Sequence, residues 1–94
     1  MKYETLLNKN IQLEFNGQIV NTCRITEMTP TLNKVPGFED RGNLHNCKVE
    51  WEKKIQGTPE NQEMGFDEKT LNDLLENKVA DCPGMPMLKY RIIG

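Results

Sequence analysis

Nowhere does this chain run apolar for long. No window approaches the ~18 residues that a membrane-spanning helix requires, and Met1-Lys2-Tyr3-Glu4-Thr5-Leu6-Leu7 lacks the long apolar core of a secretory leader. A cytosolic protein that does not enter a membrane is therefore expected. Its three cysteines are an odd count, whereas a secreted domain this short more often carries an even set, so free thiols are expected. There is no Cys-x-x-Cys pair, the local knuckle that most structural zinc sites use to fix two ligands. Gly37, Gly42, Gly57 and Gly65 stand apart, without the spacing of a P-loop or a dinucleotide fingerprint. Glu60 to Asp67 lacks the alternating carboxylates of a calcium loop. A basic surface is missing too: formal charge is −2, so the counterion release that drives nucleic-acid binding has no obvious source, and nucleic acid is not the expected partner.

What is present is enough for one domain over residues 1–94. The organising stretch is Leu44 to Ile55, L-H-N-C-K-V-E-W-E-K-K-I. His45, Cys47, Val49, Trp51 and Ile55 alternate with Asn46, Lys48, Glu50, Glu52 and Lys54. In a strand, successive side chains point to opposite faces, so this spacing gives one apolar and one charged face. Trp51 is expected to be the largest single contributor to the core. Lys2 to Asn8 reads as one short amphipathic turn with Tyr3, Leu6 and Leu7 inward. Ile11 to Phe15, then Asn16-Gly17, then Gln18 to Glu27 is a hairpin signal. Parity favours a three-residue loop, Phe15-Asn16-Gly17, which gathers Ile11, Leu13, Ile19, Cys23 and Ile25 on one face.

Met28 to Asn43 contains Pro30, Pro36, Gly37 and Gly42 and is expected to be an irregular loop. Gln56 to Gly65 reads as a polar connection. A helix should start at Asp67, whose carboxylate can cap the first free amides, with Glu68 at the positive end of the dipole and Phe66 packing on Leu71. Leu71, Leu74, Leu75 and Val79 recur on its buried face, and it should end between Asn77 and Ala80, ahead of Pro83 and Gly84. Met87 to Ile93 alternates as a closing strand. The fold expected is α+β: an antiparallel-rich sheet of a hairpin (β1-β2), β3, a helix and β4, with the amphipathic helix on one face. The last strand lies beside the first and parallel to it.

The segment Leu6 to Met28, L-L-N-K-N-I-Q-L-E-F-N-G-Q-I-V-N-T-C-R-I-T-E-M, offers a short helix, a strand, Asn-Gly and a second strand ending in an acid. In this it resembles the opening of an Sm-like or other SH3-type small barrel, over about a quarter of the chain. The resemblance implies a small closed barrel as the alternative fold. Barrels of that kind commonly bind RNA or peptides.

Three functional readings follow. The favoured one is a non-enzymatic protein-binding module, a small regulator, adaptor or inhibitor of the size seen in phage or mobile-element accessory proteins, with no cofactor. Its contact surface is Leu32, Phe38 and Arg41 from the 28–43 loop, helped by Met85 and Met87 from the 83–87 segment. Met28, Met64, Met85 and Met87 all fall at or beside expected loops, where flexible thioethers can repack around varied partners. The second reading is a zinc-stabilised nucleic-acid module using Cys23, His45, Cys47 and Cys82, the only donors of those types. The third is an enzyme with a cysteine nucleophile and His45 as base. It is disfavoured because Cys82, placed at the end of the helix, would feel the negative end of the dipole.

Overall fold

Asn16 and Gly17 close the first hairpin as a two-residue turn, both in the left-handed region at φ 50° and 81°. This is the type I′ geometry, whose twist matches that of the strands it joins. The structure, a computed structural model, describes residues 2–54 and 61–93. β1 (Asn10–Phe15) and β2 (Gln18–Lys34) leave the turn with Phe15 opposite Gln18 and Glu14 opposite Ile19, which corrects the three-residue loop. The parity conflict that suggested such a loop is resolved one step later. Leu13 opposes Asn21, so Val20 is left over as a bulge. The extra residue returns Cys23 to the face of Ile11, where both are buried, and leaves Ile19 exposed on the other side.

A second bulge follows at Thr26, since Ile25 opposes Val49 and Glu27 opposes Lys48. It moves the inward parity from odd to even positions and buries Met28. β2 then runs on through Pro30 to Lys34, where an irregular segment was expected. Proline is accommodated because β1 pairs only with the first part of β2, up to Cys23, so beyond it one side of β2 is an edge. The irregular part of the segment is confined to 35–42, which includes a 3-10 turn at Glu39–Arg41.

β3 (Asn43–Trp51) shows the alternation expected of it, with His45, Cys47 and Val49 buried and Asn46 and Lys48 exposed. Trp51 does not centre the core. It is only partly buried at the strand's end, where its Nε1 donates to Gln62 Oε1 at 3.1 Å. The largest fully buried side chains include Leu6, Ile11, Ile25, Val49, Leu71 and Leu74. Ile55 and the stretch 56–60 of the expected polar connection lie outside the described residues. From Asn61 the chain is not a connection but a strand, β4 (Asn61–Asp67), antiparallel to β3.

α1 (Glu68–Asn77) begins at Asp67, whose side chain accepts the Thr70 N–H at 2.8 Å. Thr70, Leu71 and Leu74 are buried, and Leu75 packs partly against the core. The helix ends because Lys78 turns left-handed at φ 62°, ahead of the proline expected to stop it. β5 (Val79–Cys82) and β6 (Met85–Ile93) form a hairpin over Pro83-Gly84. Cys82 therefore sits on a strand, not at a helix end. A 3-10 turn at Glu4–Leu6 closes the core, with Tyr3 and Leu6 buried and the Tyr3 hydroxyl donating to Asn72 Oδ1 at 2.9 Å.

Among the described residues the result is a sheet-dominated α+β domain of six antiparallel strands in the order β4-β3-β2-β1-β6-β5, with α1 linking the two end strands. β6 runs antiparallel to β1, not parallel. The reason is that β4 and β5 intervene, and the chain turns back after each of β3, β4 and β5. Among the described residues no helix is long and apolar enough to cross a membrane.

Candidate binding surface

Arg41, expected at the rim of a contact surface, is turned into the protein. Its Nε donates to Asp67 Oδ2 at 2.8 Å, and its Nη2 donates to Thr70 Oγ1 at 3.0 Å and to the Asp81 carbonyl at 3.4 Å. Only 14% of the Arg41 side chain and 1% of the Asp67 side chain are exposed. One guanidinium thus ties the 3-10 turn Glu39–Arg41 to the start of α1 and to β5. Gly42 ends that turn at φ 88°, and a Cβ there would stand 2.6 Å from Glu68 Oε1, the oxygen that accepts the Asn43 N–H at 2.8 Å. Arg41 is a positioning residue for the loop that carries Phe38.

That loop meets the β5–β6 turn. A Cβ built on Gly84 would lie 3.4 Å from Phe38 Cζ, so the ring rests on the Pro83-Gly84 turn immediately before Met85. Met87 is in turn joined to the first hairpin, because the Asn16 N–H donates to the Met87 carbonyl at 3.0 Å. Phe38, Met85, Met87 and Phe15 are 36%, 43%, 41% and 42% exposed. The 35–38 loop thus meets the Pro83-Gly84 turn, and the Asn16-Gly17 turn meets β6 at Met87. Phe15 stands directly opposite Leu88 and so lies on the other face of the sheet from Met87. Leu32, 90% exposed, stands nearly bare towards the end of β2. Met28 and Met64 belong elsewhere, the first buried and the second packed against the core.

The donors considered for metal or nucleophilic chemistry do not assemble. Among the described residues no three His, Cys, Asp or Glu side chains gather so as to hold a metal ion. All three thiols are free, Cys23 and Cys47 buried and Cys82 half-buried. Burial pushes the Cys23 and Cys47 thiols up to about 12, the reverse of what a nucleophile needs. The Cys47 thiol donates to the His45 carbonyl at 3.5 Å, not to its ring. The imidazole is buried with Nδ1 unpartnered, Nε2 4.0 Å from Glu68 Oε2 and the Tyr3 ring edge-on at 5.2 Å. The Tyr90 phenol is held well above its usual range, first by burial and then by the neighbouring Cys82.

The outer face of the sheet neutralises itself. Arg24 meets Glu50 at 2.9 Å, Lys48 meets Glu27 at 3.1 Å, Lys89 meets Asp81 at 3.0 Å and Arg91 meets Glu14 at 3.3 Å. The first three pairs are directly opposite across strands. A cleft of about 430 Å³ beside Trp51 is lined by the first of these pairs. A second depression, about 660 Å³, runs between the Glu39–Arg41 turn and α1, with Lys2, Tyr3, Asp40, Glu68, Asn72 and Glu76 among its lining. Burial, and then the adjacent Glu68, raise the Tyr3 phenol above its ordinary range. Comparison with protein-family models, with curated proteins and with solved structures yields no match to this chain.

Proposed function

We propose that this chain is a small non-enzymatic protein-binding module of the cytoplasm, a regulator, adaptor or inhibitor, whose contact surface is the apolar end carrying Phe38, Met85 and Met87. Leu32 is an outlying contact, and Arg41 holds the loop in place from within. The carrying observation is the seat of Phe38 on the turn before Met85. It brings together two segments distant in sequence, each with exposed apolar side chains, while the outer face of the sheet carries ion pairs along its length. Exposed apolar side chains gathered in this way support an interaction site, and methionine suits a surface that must adapt to its partner. Raised thiol pKa values argue for filler cysteines over a nucleophile, and free thiols fit a reducing compartment. The finer architecture is read as a curved open sheet around α1, with a small SH3-like or Sm-like barrel as the alternative.

The M85A/M87A double variant tests this reading. It is expected to keep the wild-type unfolding midpoint and to lose the proteins that immobilised wild type retains from a lysate of the source cells. Unfolding of the variant would make these methionines part of the core. Unchanged capture would move the contact surface elsewhere.

A further inference from the structure

We infer that the partner presents a basic amphipathic peptide segment, whose apolar side chains cover Phe38, Met85 and Met87 and whose lysine or arginine side chains enter the carboxylate-lined groove beside α1. This rests on the binding reading above and adds the chemistry of what is bound. The apolar surface and the groove share one short turn: Phe38 lies on the first and Asp40 lines the second. Two residues of chain span at most ~7 Å, so a single segment reaches both.

In the groove carboxylates outnumber free cations, while Lys34, beside the 35–38 loop, donates to Asn43 Oδ1 at 2.8 Å. Arg41 is consumed by Asp67, and Lys69 by Asp73 at 3.2 Å. Glu39 accepts backbone N–H groups of its own loop, its own and that of Gly37, the latter at 3.1 Å, and among the described residues Asp40 and Glu76 form no ion pair. Among the described residues the other cation lining the groove is Lys2, whose Nζ lies 5.6 Å from the centre of the Tyr3 ring, the placement an incoming ammonium would take over an aromatic face. Two copies docked through this surface would bring Glu39 and Asp40 of each against those of the other. An anionic membrane or nucleic acid meets the same repulsion. A cationic partner is the complement.

The test is a selection of short random peptides displayed on phage against the full immobilised chain, followed by titration of a synthetic copy of the most enriched peptide. Enriched sequences should combine large apolar residues with Lys or Arg. The synthetic peptide should bind the D40K/E76K variant about tenfold more weakly, as two lost rim ion pairs imply. It should also be lost on M85A/M87A, and it should be little affected by E52K/E63K, the same charge change at two exposed positions outside the groove. Acidic or uncharged peptides that still need Met85 and Met87 would overturn this inference and leave the binding reading intact. An equal loss on E52K/E63K would do the same, by reducing the effect to net charge. Absence of any enrichment, or peptides indifferent to M85A/M87A, would remove both.

Discussion

Asp67 uses both carboxylate oxygens inside the protein, Oδ1 for the Thr70 N–H and Oδ2 for Arg41 Nε. The two bonds answer different needs, one capping α1 and the other neutralising a guanidinium that is largely withdrawn from water. Asp67→Ala removes both and leaves a buried charge without a partner, a loss of about 3–5 kcal/mol for the pair with about 1 kcal/mol more for the cap. Asp67→Asn retains an oxygen for the Thr70 N–H but not the charge, so it should fall between. Urea denaturation is expected to rank wild type above D67N and D67N above D67A. Equal losses in the two variants would show that the charge carries everything and the cap nothing. A secondary consequence is local: without Asp67 the Arg41 side chain no longer fixes the Phe38 loop, so the same variants should blur the contact surface as well as lower stability.

At the scale of elements, the two bulges in β2 decide which residues reach the core. Val20 is an extra residue between Ile19, opposite Glu14, and Asn21, opposite Leu13. Deleting it joins two stretches already in register, so Cys23 and Ile25 keep their faces. Deleting Arg24 instead turns Ile25, which is fully buried, to the outside. The first deletion should therefore cost no more than about 1 kcal/mol, and the second at least the burial of one isoleucine, about 1.5–3 kcal/mol. Chemical denaturation of the two deletion variants checks the order. Much of this level was legible in sequence. β3 and α1 declare themselves because an uninterrupted alternation, or a capping residue ahead of an apolar stripe, is a local pattern. The need for an odd residue in the first hairpin was visible as a parity conflict, but whether a longer loop or a bulge supplies it is decided by pairing across strands. β4 was not visible, since Asn-Gln-Glu-Met-Gly-Phe-Asp owes its extended form to its ladder with β3. β5 is too short to show a period. Phe38, Met85 and Met87 were readable as apolar residues among turn formers. The inward turn of Arg41 was not, because Asp67, Thr70 and Asp81 lie far along the chain from it.

For the whole molecule, the distribution of charge matters more than its sum. A net charge of −2 would be compatible with a cationic stripe on one face of the sheet, which is what a nucleic-acid reader of this size would need. The outer face instead matches Arg24, Lys48 and Arg91 with Glu50, Glu27 and Glu14, so among the described residues these three cations form no free row there to displace counterions. Each exposed pair contributes only about 0.2–1 kcal/mol to stability, and its larger effect is to cancel the field. The E14Q/E27Q/E50Q variant raises the formal charge by three, from −2 to +1, while leaving the strands and the core in place. Wild type should show no saturable binding to single-stranded RNA in fluorescence anisotropy at low salt. The triple variant should bind weakly, with a slope of about −2 in log affinity against log salt, as three newly freed cations imply at ~0.7 per phosphate contact. Comparable RNA binding by wild type would mean that a cationic surface other than the sheet does the work. Failure of the triple variant to bind would mean that the curvature of the sheet, and not only its paired charges, keeps a strand of RNA away.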